Sequence, residues 1–103
     1  MEQSRRQYRS RIRIAADILK IVKEGSRKTR IMYQGNLSFD LVQKYLGLLV
    51  NFGLVETQEG SEKVYIATEK GRRFLEDFYE LEKYSEIVET KKRVLEGSLA
   101  STT

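Results

Sequence analysis

The 103-residue chain has no cysteine, histidine, proline or tryptophan. Without cysteine there is no disulfide framework, no thiol nucleophile and no thiolate metal site. Without histidine the commonest general base, the commonest zinc ligand and the usual near-neutral pH switch are all missing. Carboxylate-only or Lys/Tyr chemistry remains possible, but the composition argues against an enzyme, and no catalytic residue, metal, cofactor or small-molecule substrate is expected. Long apolar runs are lacking too: no stretch approaches the 18 or so residues of a membrane span. The apolar segment after the basic N-terminus is broken by Asp17 and Lys20 and has no small-residue cleavage site. A secretory signal is therefore not expected, and a cytoplasmic location is.

What the chain does have is unevenly placed charge. Residues 1–33 hold ten Lys/Arg against three acids, a balance of +7, whereas residues 34–68 stand at −2 and residues 69–103 at −1. A basic block confined to one third of a chain is the footprint of a polyanionic partner rather than of general solubility.

The apolar pattern is mainly helical. Residues 1–9 are polar, basic and without periodicity, and read as an arm. From Ser10, the residues Ile12, Ala15, Ala16, Leu19 and Val22 recur at helical spacing, with Ile14, Ile18 and Ile21 broadening the stripe, and Gly25 offers a left-handed cap. Ser26 is positioned to cap a short second helix through about Gln34, with Ile31 and Met32 buried. After the Gly35–Asn36 turn, Leu37 and Ser38 have the character of a hydrophobic staple and N-cap for a third helix, which ends at Gly53. Residues 54–58 and 63–67 are rich in β-formers and flank a polar, glycine-containing turn, the pattern of a hairpin. Helix, helix-turn-helix and hairpin in this order form a winged helix.

Thr68 begins the last helix, which runs to about Gly97 and is roughly 45 Å long at 1.5 Å per residue, more than the domain needs. Phe74, Phe78, Leu81, Ser85, Val88, Lys92, Leu95 and Leu99 alternate by four and three, a heptad seam with two polar interruptions. The expected architecture is mainly α with a small β-hairpin: a basic arm over 1–9, a winged helix-turn-helix domain over 10–73, a coiled-coil dimerisation helix over 74–99 and a disordered tail over 100–103. Phe78, Leu81, Ser85, Val88, Lys92, Leu95 and Leu99 are the expected dimer contacts. Parallel pairing would bring the two domains together on a palindromic site; antiparallel pairing would hold them at opposite ends of a rod.

The segments Lys28–Thr29–Arg30–Ile31–Met32–Tyr33, Asn36–Leu37–Ser38, Tyr45–Leu46, Gly53–Leu54 and Thr68–Glu69–Lys70–Gly71 together resemble the archaeal winged-helix proteins of the "10a" type. Those are small, basic, chromatin-associated DNA binders in which two winged helices are joined by an antiparallel coiled coil. The resemblance implies the same fold and double-stranded DNA as the partner of a homodimer, with a nucleoid-associated role. The same winged-helix pattern also occurs in archaeal transcription regulators.

Three groups of residues are candidates for the DNA surface. Arg5, Arg6 and Arg9 lie in the arm, where they follow a phosphate backbone or enter a minor groove, or are simply solvated. Arg27, Lys28, Thr29 and Arg30 lie around the start of the second helix, whose free N–H groups also favour phosphate; Arg27 and Arg30 could equally pair with acids of the last helix. Ser38, Gln43 and Lys44 lie on the third helix and Lys63 on the wing, where the two lysines also fit plain surface. Tyr33 fits phosphate contact or the core edge equally well. Of the third-helix residues off the apolar face, only Gln43 can bond two base atoms at once, and no arginine is present. This favours an architectural, chromatin-type protein that binds with low sequence specificity and bridges or bends DNA. The alternative is a sequence-specific regulator on the same scaffold, and a protein–protein adaptor would have no use for the basic block.

Overall fold

The structure, a computed structural model, describes residues 9–100. Its elements are α1 (Arg11–Ile21), α2 (Lys28–Gly35), α3 (Phe39–Asn51), β1 (Val55–Gln58), β2 (Val64–Ala67) and α4 (Glu69–Ala100). This is the expected mainly helical fold with one antiparallel hairpin, a winged helix followed by a long C-terminal helix.

The helix starts follow the capping chemistry of the sequence. Ser10 Oγ accepts from the Arg13 N–H at 3.1 Å, Ser38 Oγ from Leu41 at 3.2 Å, and Thr68 Oγ1 from Gly71 at 3.1 Å. The start of α2 differs from expectation. Ser26 does not cap it; Arg27 occupies the N-cap position without a side-chain bond. Ser26 is instead buried and bridges to β2, its N–H and C=O pairing with Tyr65 at 2.8 Å each. A long-range pairing has taken the residue that local pattern assigned to the helix. Gly25 adopts φ +101°, but in the turn back to this bridge, since α1 already ends at Val22. Asn36 closes α2 in the left-handed region at φ 53°, which asparagine tolerates better than most residues.

α1 is the centre of the core. Ile14, Ala15, Ala16, Ile18, Leu19 and Val22 are all buried, so it is covered on more than one side. α2 contributes Ile31, α3 contributes Val42, Tyr45, Leu46 and Leu49, and the hairpin contributes Val55, Tyr65 and Ala67. The hairpin register pairs Val55 with Ala67 and Gln58 with Val64.

α4 supplies only Gly71, Leu75 and Phe78 to the interior, all in its first three turns. Beyond them it projects as an exposed helix, and the described residues extend 67 × 30 × 20 Å. It continues through Ala100, one residue into the expected tail; residues 101–103 lie outside the described residues.

The root of α4 is built against the end of α3. Thr68 Oγ1 donates to the Gly53 carbonyl at 2.6 Å, Lys70 Nζ to that of Phe52 at 2.8 Å, and the Thr68 N–H to that of Leu54 at 3.0 Å. A Cβ on Gly71 would stand 2.2 Å from the Leu54 carbonyl oxygen and 3.1 Å from Leu19 Cδ2. By contrast, a Cβ on Gly47, midway along α3, meets nothing within 4 Å. Gly71→Ala is expected to destabilise the domain by about 1–3 kcal/mol or more through overpacking against backbone. Gly47→Ala is expected to stabilise it by up to about 1 kcal/mol through helix propensity. Urea unfolding of the two variants checks both signs.

Candidate nucleic-acid interface

α3 presents its apolar face to the core and leaves Phe39, Asp40, Gln43, Lys44, Gly47 and Val50 exposed. Phe39, Gln43 and Gly47 are four residues apart and form one row along the helix. α2 flanks one end of this row. Lys28 donates from Nζ to Gln43 Oε1 and lies 5.4 Å from the centre of the Phe39 ring. The wing flanks the other end. A surface groove runs between α3 and the hairpin, lined by Gln43, Gly47, Val50 and Asn51 on one side and Thr57, Lys63 and Tyr65 on the other.

The structure thus brings Lys28, Ser38, Gln43, Lys44 and Lys63 onto or beside α3. Lys44 Nζ lies 5.9 Å from the centre of the Tyr45 ring and Lys63 Nζ lies 6.0 Å from that of Tyr65. Thr29 and Arg30 are exposed on the first turns of α2, and Arg30 makes no ion pair among the described residues.

Arg27 is paired, but not with the last helix as one reading allowed. Its partner is Glu62 in the wing turn. It is α1 that packs along α4, and Arg13 on α1 bridges to Glu82 at 3.0 Å. Arg9 is also engaged within the fold, donating to Asp17 at 2.7 Å and to the Asn36 carbonyl at 3.1 Å. Arg5 and Arg6 lie outside the described residues.

Two aromatics stand exposed beside these residues, one weighed in the sequence and one absent from its candidates. Tyr33 is 89% exposed, so the reading of it as a core-edge residue fails: α2 buries only Ile31 and Gly35, and Tyr33 faces away from both. Phe39 is 51% exposed at the first position of α3. Its one sequence signal is that Leu37 and Ser38 already complete the staple and cap, which leaves Phe39 without a structural duty.

The expected dimer seam is altered at one position. Phe78 is only 6% exposed, buried in its own domain with the Arg13 and Lys20 side chains over its ring, and is not free to pair. Leu81, Ser85, Val88, Lys92, Leu95 and Leu99 are exposed as a seam requires. Tyr84, Ile87 and Val94 are exposed as well and widen the apolar face beyond the strict four-three repeat. At the root of the helix, Phe74 lines an apolar groove of about 540 Å³ with Ile12, Leu48 and Phe52. The described residues hold no cluster of acids arranged for a metal ion, and no helix among them is long and apolar enough to cross a membrane.

Comparison with known proteins agrees with this geometry. The family model of the winged helix-turn-helix matches residues 8–86. An uncharacterised protein of Methanocaldococcus jannaschii is 38% identical over 79 residues, covering 76% of this chain and 78% of its own. The crystal structure of Sso10a-2, a DNA-binding protein from Sulfolobus solfataricus, superimposes with a TM-score of 0.76 at 30% identity, covering 84% of this chain and 93% of that one. MepR, a transcription regulator of the Staphylococcus aureus multidrug efflux pump MepA, shares the fold at a TM-score of 0.63 and 16% identity, over 99% of this chain and 85% of its own.

Proposed function

The chain belongs to the winged helix-turn-helix family, and from that premise we propose that it is a homodimeric architectural protein of the nucleoid. It binds double-stranded DNA with low sequence specificity through its winged helix, and bridges or bends it through its C-terminal helix. The observation that carries this reading is the likeness to Sso10a-2, a DNA-binding protein, over nearly all of that chain.

The surface chemistry supports it. Lys28, Lys44 and Lys63 lie on or beside the exposed row of α3, Arg30 is exposed on α2, and the sequence of the arm adds Arg5 and Arg6 as further cations. Phosphate contacts of this kind position a protein without reading sequence. α3 has no arginine to pair with guanine, so strong direct readout has few side chains to draw on. Ser38 and Thr29 add hydroxyl donors for phosphate.

The dimer reading rests on α4. From Leu81 to Leu95 its apolar face is exposed in the single chain, and an exposed apolar face of this kind is stabilised by a second helix. The charges along the helix are divided. Glu76, Asp77, Glu80, Glu82, Glu86 and Glu89 stand against Lys83 alone, and then Lys91, Lys92 and Arg93 stand against Glu96. Antiparallel pairing sets the basic end of one helix beside the acidic part of the other, whereas parallel pairing sets like charges side by side. An antiparallel rod holds the two winged helices apart, the arrangement that joins two duplexes or two sites on one.

Anisotropy titrations on random and genomic duplexes at two salt concentrations test the DNA reading. A steep loss of affinity with salt and less than about tenfold sequence preference are expected; a preference above about 10³ would assign a sequence-specific regulator instead. No binding at low salt would overturn both. Arg30→Ala combined with Lys44→Ala is expected to weaken all sequences alike and to flatten the log–log salt slope by about 2. Sedimentation tests the dimer: Val88→Asp with Leu95→Asp is expected to reduce twice the chain mass to one. Both side chains are exposed in the single chain, so the melting of the domain should persist.

A further inference from the structure

We propose that Phe39 reads the C5-methyl group of thymine in the major groove, with Lys28 fixing the ring for that contact. The inference rests on the DNA-binding reading above and adds a specific base feature to it.

Phe39 is the first residue of α3, and in helix-turn-helix domains the N-terminal residues of this helix are those that approach base edges. The fold itself does not call for an aromatic ring there. Ser38 supplies the cap, the buried Leu37 supplies the staple, and Val42, Tyr45, Leu46 and Leu49 form the core-facing stripe. The ring is nevertheless held. Lys28 lies 5.4 Å from its centre and is itself tethered to Gln43, one turn further along the same exposed row. A cation placed over an aromatic face is attracted by the ring quadrupole and restrains it.

The ligand follows from the chemistry of the groove. Base edges in the major groove present hydrogen-bond donors and acceptors and a single kind of apolar group, the thymine methyl. A half-exposed phenyl ring offers no hydrogen bond, and among the base edges of an intact major groove that methyl is the group it can pack against. The neighbours on the row fit a close approach: Gly47 has no side chain and open space above it, so the helix meets no obstruction of its own there. The outcome is a mild preference for thymine-containing sites added to a contact dominated by phosphate.

The test uses the full chain and duplexes in which every thymine is replaced by deoxyuridine, which removes the methyl and leaves base pairing intact. Wild-type affinity is expected to fall about fourfold per engaged domain, the equivalent of about 0.8 kcal/mol for one buried carbon at 1.4 kcal/mol per tenfold. Replacing cytosine by 5-methylcytosine in a thymine-poor duplex, which puts a methyl at the same groove position, is expected to raise affinity. Phe39→Ala should bind thymine and deoxyuridine duplexes equally, and Phe39→Leu should restore part of the difference, with circular dichroism showing both variants folded.

Wild-type binding that ignores the methyl would overturn the inference, as it would if the ring wedged between bases or met only the backbone. Phe39→Ala retaining the full methyl dependence would overturn it too. If the wild type bound neither duplex, the DNA-binding reading itself would fall and this inference with it, an outcome distinct from methyl-independent binding.

Discussion

The close approach of Gly71 to the Leu54 carbonyl oxygen is the contact on which the rest of the molecule depends. Only a residue without a side chain lets α4 begin there, since any Cβ would sit 2.2 Å from that oxygen. The same few residues carry several obligations at once. The carbonyls of Phe52, Gly53 and Leu54, which follow α3, are satisfied by Lys70 and Thr68 at the head of α4. The Ala67 N–H, at the end of β2, donates to the Val22 carbonyl at the end of α1 at 3.0 Å. The end of one helix, the start of another and the exit of the wing therefore share one hydrogen-bonded junction. The direction in which the long helix leaves is set relative to the exposed face of α3, not left to a flexible linker.

Charge serves position more than stability in this fold. Asp17 gathers Arg9, Arg13 and Lys20 at 2.7, 3.6 and 3.9 Å, and Arg13 continues to Glu82 on α4. Exposed ion pairs of this kind contribute about 0–1 kcal/mol each. Their effect is to direct Arg9, Arg13 and Lys20 toward the protein's own acids, while Arg27, ahead of α2, is answered by the wing and Arg30 on α2 is exposed without an ion pair among the described residues. The basic first third of the sequence is thus divided by the fold into a part engaged with its own acids and a part turned to solvent.

Much of this was legible before the structure because it is written in local chemistry. Ser10, Ser38 and Thr68 cap the helices they precede, Gly53 turns the chain at φ +79°, and the hairpin follows its β-forming residues. What escaped depends on contacts between distant segments. Ser26 resembles a cap locally, but its backbone is paired with Tyr65, thirty-nine positions along the chain. Phe78 fits the heptad repeat and is buried by α1, because the repeat cannot tell where the domain ends and the free helix starts. Arg9 belongs to the basic arm by sequence pattern, yet Asp17 and the Asn36 carbonyl hold it. Tyr33 is open to a core-edge reading in the sequence and Phe39 gives no signal of its own, because apolar periodicity assigns aromatic residues to the interior by default, and only the packed fold shows which are left outside.

The exposed length of α4 has a consequence for how such a protein can change. The winged helix is complete by Phe78, so later residues can be added or removed without disturbing its core. Seven inserted residues would lengthen the helix by about 10 Å and return nearly the same face to a partner. Three or four would instead move that face partly around the axis. The helix is therefore a ruler graduated in heptads, adjustable independently of the winged-helix head.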